Sequence, residues 1–145
     1  MSRGSGVVIG LDIGTHRIGV ARGDLAVGIA TPLSAVVNDQ NTIGTLKRLA
    51  QEERAQTIVV GLPRNSQGEE TLQSQFSRQF AQSLAKELQI EVILQDESVT
   101  SLEAEQHLRQ RKGFRENMLR DGTLDSEAAA LILADFLEEA HRAAA

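Results

Sequence analysis

Val7-Val8-Ile9-Gly10-Leu11-Asp12-Ile13-Gly14-Thr15-His16-Arg17-Ile18-Gly19-Val20-Ala21-Arg22 is the stretch from which the fold can be read. Residues 6–13 are apolar and β-branched, the pattern of a buried strand. Gly14-Thr15-His16 is a turn signal, and residues 17–22 alternate polar and apolar as a second strand does. Gly23-Asp24 marks another turn, and a weaker third strand is expected over 26–31, ending near Pro32. Three short strands joined by tight turns make an antiparallel meander. Asp12 stands at the end of the first strand, where a charge is costly unless something meets it. Gly14 beside it allows a backbone or a ligand to come close. An Asp here can also simply stabilise the turn at Gly14 and Thr15. From this segment alone both readings stay open.

Downstream the period changes from two to helical. Asn38, Asp39 and Asn41 offer helix starts, and Ile43, Leu46, Leu49 and Ala50 mark one face. Residues 57–62 form a continuous apolar strand closed by Pro63. Leu72, Phe76, Phe80, Leu84 and Leu88 step by four, with Ala81 and Ala85 beside them, which predicts an amphipathic helix. The next strand is expected over 90–95. Thr100 or Ser101 can cap a helix running to about Lys112, with Glu103 near its positive end. Residues 113–123 read as a loop, and the last helix begins near Asp125. Strands alternating with helices after a meander predict an α/β fold. Its sheet has five strands, an antiparallel meander followed by parallel strands, and helices flank it. No linker or repeat divides residues 1–145, so one domain is expected.

The totals narrow the chemistry. Among the 145 residues there is no Cys, which excludes disulfides and thiolate metal sites. No apolar run approaches the roughly 20 residues of a membrane span, and the first residues show no signal-peptide pattern. A soluble cytoplasmic protein without membrane contact is the expectation. The net charge of −5 opposes an all-over nucleic-acid binder, but charge is unevenly spread. Between His107 and Arg120 lie Arg109, Arg111, Lys112, Arg115 and Arg120 against Glu116 alone. A basic segment on an acidic body can grip phosphates, or it can be a solvated helix face and surface loop. With no Trp or Tyr and four Phe, stacking on aromatic platforms is poorly supported. Contacts to backbone and shape should then dominate.

Carboxylates recur where elements end. Asp96-Glu97 close the strand Val92-Ile93-Leu94, and Asp125 opens the last helix. Alternation along a strand sends Asp96 and Glu97 to opposite faces, so only one need be a ligand. A lone Asp before a helix is ordinarily an N-cap. Three acids at compatible strand and helix ends favour a cluster, and a self-repelling cluster is tolerable mainly when it holds divalent cations. Gly61-Leu62-Pro63-Arg64-Asn65 follows a central strand, where loops of an α/β sheet line the ligand crevice. Arg64 and Asn65 can orient a phosphate there, or belong to an ordinary connecting loop. His16, His107 and His141 have no metal-ligand spacing.

Four segments in order resemble the YqgF/RuvX family of pre-16S rRNA nucleases, itself similar to Holliday-junction resolvases of the RuvC type. They are Leu11-Asp12-Ile13-Gly14 with Arg17-Ile18-Gly19-Val20-Ala21, then Val59-Val60-Gly61-Leu62-Pro63, then Asp96-Glu97 with Thr100, then Leu124-Asp125-Ser126 with Ala128-Ala129. The resemblance implies an RNase H-like fold and an acidic triad at Asp12, Glu97 and Asp125 holding Mg²⁺ or Mn²⁺. It implies endonucleolytic hydrolysis of a phosphodiester, first in 5′-end maturation of precursor 16S rRNA. A homodimer resolving branched four-way DNA is the alternative with the same chemistry, whereas rRNA trimming needs only a monomer. Arg17, Arg64, Asn65, Arg115 and Arg120 are the candidate substrate contacts. Two departures from the pattern stand out: Ser98 where the family has Arg, and Gln67 where an acidic residue is common. Asp12-Ile13-Gly14-Thr15 also resembles the phosphate turn of actin-like ATPases and sugar kinases. Those proteins clamp a nucleotide between two such domains. A non-catalytic nucleic-acid-binding module is the remaining reading.

Overall fold

The computed structural model describes residues 6–97 and 100–144. Strands β1 (Val7–Ile13), β2 (Arg17–Asp24), β3 (Ala30–Pro32) and β4 (Val36–Val37) come first. Helix α1 (Thr42–Glu53), β5 (Thr57–Pro63), α2 (Leu72–Leu88), β6 (Glu91–Glu97), α3 (Ser101–Arg109), a 3₁₀ turn (Glu116–Leu119) and α4 (Thr123–Ala144) follow. One sheet runs in the order β3-β2-β1-β5-β6, with β4 also pairing β2. β1, β2, β3 and β4 pair antiparallel through β2, whereas β1, β5 and β6 pair in parallel. None of the described helices is long and apolar enough to cross a membrane.

The mixed sheet is as the sequence predicts, with six strands in place of five. The extra strand comes from the end of the meander. Asp24 accepts the Ala26, Val27 and Gly28 amides, and Gly28 adopts φ +81°, so the chain turns until Ala30. Pairing with β2 therefore spans only 30–32, and the short β4 resumes it further along β2. Helix α3 stops at Arg109 and not near Lys112. The Gln110 and Arg111 amides turn back to His107 and Leu108, and Gly113 takes φ +85°. The predicted loop at 113–123 contains a 3₁₀ turn, and α4 starts two residues before Asp125. Asp121 is the reason: its Oδ1 accepts both the Thr123 amide and hydroxyl, so the capping carboxylate is Asp121 and not Asp125. Ser98 lies outside the described residues.

Each face of the sheet has its own core. Ile9, Leu11, Ile18, Val20, Ile58 and Val60 pack under α1 and α2 against Leu46, Ala50, Ala81, Leu84 and Leu88. The opposite pleats carry small residues, and α4 lies directly on them. Val8, Ala21 and Val59 meet Ala129, Ala130, Ile132, Leu133 and Leu137 there. Glycines set the distance. A Cβ on Gly10 would sit 2.8 Å from Leu133 Cβ, and one on Gly61 2.6 Å from Ile132 Cδ1. A Cβ on Gly19 would lie 1.9 Å from the Asp125 carbonyl oxygen, which no adjustment of a side chain can relieve. Gly19 is the cross-strand partner of Asp12. The same contact that brings α4 onto β2 thus brings Asp125 to the strand end that carries Asp12.

Candidate active site

Asp12, Glu97 and Asp125 line one cleft of about 220 Å³, together with Pro63, Gln73 and Thr100. Three different elements deliver the acids. Asp12 is the penultimate residue of β1, Glu97 ends β6, and Asp125 lies in the first turn of α4. β6 continues through Glu97, so the pleat decides between the two adjacent acids. Glu97 faces α4: a Cβ on Gly61, which points at Ile132, would lie 3.4 Å from Glu97 Cγ. Asp96 faces the other way and accepts Arg64 Nε and Nη2, both at 3.1 Å. Geometry therefore brings together the three acids that the family resemblance singles out.

They line the cleft without closing into a cage. Among the described residues no three acidic or histidine side chains meet closely enough to hold an ion ready-made. Mutual repulsion separates like charges, and Arg17 Nη1 stands 3.7 Å from Asp125 Oδ2. Burial pushes the Asp12 carboxyl up to about 7, with Glu97 and then Asp125 adding repulsion. Burial also raises Asp125, against the opposing pull of Arg17. The donor set is all oxygen, with no sulfur or imidazole, and fits a hard divalent cation such as Mg²⁺ or Mn²⁺.

The basic candidates divide sharply. Arg17 donates from Nη2 to the Arg120 carbonyl at 3.0 Å as well as facing Asp125. It fastens the turn before α4 to the start of β2. Arg64 is held by Asp96 and lies 3.7 Å from Glu70, on the sheet face away from the acids. Asn65 Oδ1 accepts the Gln67 and Glu69 amides, which shapes its own loop. Neither Arg64 nor Asn65 is brought to the acidic cleft. Asp96 thus finds its cation in Arg64. Within the basic segment, Arg109 is bound by Glu105 and Glu116 and lies over the Phe114 ring at 5.3 Å. Arg111 reaches the buried Glu127 with Nε at 2.6 Å and Nη2 at 3.1 Å. Lys112, Arg115 and the Arg120 side chain are exposed and make no ion pair among the described residues.

Three functional placements escaped the sequence. Ser126 Oγ accepts the Val20 amide, closing the gap in β2's ladder between β3 and β4 and seating α4. Glu127 is buried and holds Arg111, a pair sixteen residues apart that no local pattern signals. Gln73, an exposed polar position on the α2 pattern, donates from Nε2 to the Ile13 carbonyl at 2.7 Å. The polar residue one step after a helix's first apolar position was the available hint.

A six-stranded mixed sheet with acids at the ends of β1 and β6 and in the first turn of α4 defines an RNase H-like domain of the resolvase kind. Among solved structures, the fowlpox virus Holliday junction resolvase is similar with a TM-score of 0.58 at 11% identity, covering 92% of this chain and 99% of that one. Thermus thermophilus RuvC gives 0.54 at 16% identity, covering 94% and 96%. At such identities the likeness is one of fold. The model of the RuvX family, described as Holliday junction resolvase, matches residues 6–139, and the chain belongs to that family. A relative from Anaeromyxobacter sp. (strain Fw109-5) is 38% identical over 135 residues, covering 92% of this chain and 97% of its own length. One from Escherichia coli O157:H7 is 34% identical over 139 residues, covering 94% and 99%. Both carry the name "Putative pre-16S rRNA nuclease".

Proposed function

We propose that this protein is a metal-dependent endonuclease that hydrolyses phosphodiester bonds in the 5′-end maturation of precursor 16S rRNA. The observation that carries the reading is the convergence of Asp12, Glu97 and Asp125 on one cleft, where burial and neighbouring charge lift Asp12 to about 7. A carboxyl so placed is unstable as an isolated anion and is relieved by a bound cation. Asp12, Glu97 and Asp125 would hold Mg²⁺ or Mn²⁺. Bound there, divalent ions would supply the chemistry of water activation and leaving-oxygen stabilisation for an in-line displacement.

The rest is positioning by this chain. Asp12 stands on the central strand β1, beside β2 on which the Asp125 turn rests and beside β5, the neighbour of β6, and would hold the metal together with Glu97 and Asp125. Arg17 fixes the turn that carries Asp125. Lys112, Arg115 and Arg120 supply exposed charge for the phosphate backbone. The names of the relatives point to rRNA, and the RuvX description points to branched DNA. A junction resolvase needs two active sites, hence a homodimer cutting symmetrically, whereas trimming an rRNA end needs one.

Labelled precursor rRNA and a synthetic four-way junction, cut side by side with Mg²⁺, test this. Cleavage of the rRNA that stops with EDTA and with Asp12→Asn is expected. Paired nicks in the junction alone transfer the assignment to DNA. Cleavage that persists with EDTA removes the metal-dependent reading altogether.

A further inference from the structure

Gln73 is the neutral side chain of the cleft whose orientation is fixed by chemistry. Its partner at Ile13 is a backbone carbonyl, which only accepts hydrogen bonds, so the group turned to it at 2.7 Å must be the amide NH₂. The carboxamide oxygen is thereby directed away from Ile13, and no donor among the described residues reaches it. The helix supporting it is anchored as well. Thr71 and Ser74 cap α2 reciprocally, with Ser74 fully buried, so Gln73 sits on a fixed first turn. Gln73 lines the same cleft as Asp12, Glu97 and Asp125.

The surrounding acids leave few roles for that oxygen. Carboxylates are acceptors, and so are phosphate and ring oxygens of a nucleic-acid backbone. The 2′-hydroxyl of ribose is the backbone group that donates. The remaining Gln73 N–H can meet a phosphate oxygen, which RNA and DNA both offer, so the contact that discriminates is the acceptor. Resting on the nuclease reading above, we propose that Gln73 Oε1 accepts the 2′-hydroxyl of a ribose beside the scissile phosphate, making Gln73 a specificity residue for RNA.

A 2′-deoxy walk tests this with the full-length chain. One RNA oligonucleotide is made as all-ribose and with a single deoxyribose at each position in turn. Wild-type protein is expected to cut one deoxy-substituted chain about tenfold more slowly, the effect of one hydrogen bond in an open cleft. Gln73→Ala should cut that chain and the all-ribose chain at equal rates, with at most a small fall in melting temperature from the lost hydrogen bond to Ile13. Equal slowing of both chains by Gln73→Ala, with the wild-type ratio kept, reduces Gln73 to a strut for Ile13 and overturns the proposal. Anisotropy titrations of the same oligonucleotides with Ca²⁺ in place of Mg²⁺ separate it from the nuclease reading. A ribose preference in binding that Gln73→Ala abolishes sustains the proposal even where nothing is cut. Equal wild-type affinity for both chains overturns it even where RNA is cleaved.

Discussion

The two faces of the sheet solve different problems with the same backbone. Under α1 and α2, large β-branched and leucine side chains interdigitate and make the larger apolar core. Under α4, glycine and alanine take the place of those side chains, and the helix comes down onto the strands. The first face is built for burial. The second gives up apolar volume so that the start of a helix can stand beside the ends of two strands. Acids follow the same division. Asp96, on the α1/α2 side, is neutralised by Arg64, whereas Glu97, one residue on, joins Asp12 and Asp125.

If that contrast is right, changes on the α4 face remove activity out of proportion to their cost in stability. Asp12→Asn should lower cleavage more than the ~10–100-fold that loss of an outer-shell partner costs, since it removes a carboxylate proposed to hold the metal itself. The same variant should stabilise the metal-free protein at pH 8. A folded-state carboxyl raised from 3.8 to about 7 loses stability as pH rises between those values, on the order of a few kcal/mol, because the unfolded chain ionises first. Asn has nothing to ionise. Melting curves of metal-free wild type should therefore fall relative to Asp12→Asn between about pH 4 and pH 7. Parallel curves would remove the buried-charge account.

Gly19→Ala should come next. Overpacking costs roughly 1–3 kcal/mol, and here the obstacle is the Asp125 carbonyl, so cleavage by the folded fraction should collapse as well. Leu84→Ala on the other face should cost about 2–5 kcal/mol and leave the activity of folded protein intact. Urea melts paired with activity per folded molecule distinguish the two faces. Equal specific activity for both variants would erase the division. A smaller contrast sets Glu97→Gln, expected to lose most cleavage, against Asp96→Asn, expected to keep it. The smallest concerns the basic segment. Arg115→Ala should weaken RNA binding and reduce the salt slope by about one, whereas Arg64→Ala should leave the slope unchanged.

Much of the fold was legible because its signals are local. The run 7–13, the alternation at 17–22 and the four-residue steps at 72–88 each report their own secondary structure. Their ends were less legible, because a side chain elsewhere sets them. Asp121 moved the start of α4 to Thr123, and Glu127 drew Arg111 out of the segment read as substrate contact. Arg64 and Asn65 looked like phosphate ligands because they follow a parallel strand. Their partners, Asp96 and two loop amides, are visible only in three dimensions.

The sequence by itself determined most of the elements and the acidic character of the ends of β1 and β6 and of the start of α4, because strand period, apolar runs and residue type are properties of short segments. Tertiary structure alone decided which of two adjacent acids faces the cleft, which arginines are already occupied, and that Gln73 belongs beside Asp12. Those outcomes depend on pleat register and on contacts between residues far apart along the chain, from 32 positions for Arg64 and Asp96 to 60 for Gln73 and Ile13 and 106 for Val20 and Ser126. No local pattern encodes such a distance; the packing of a helix on a glycine floor does.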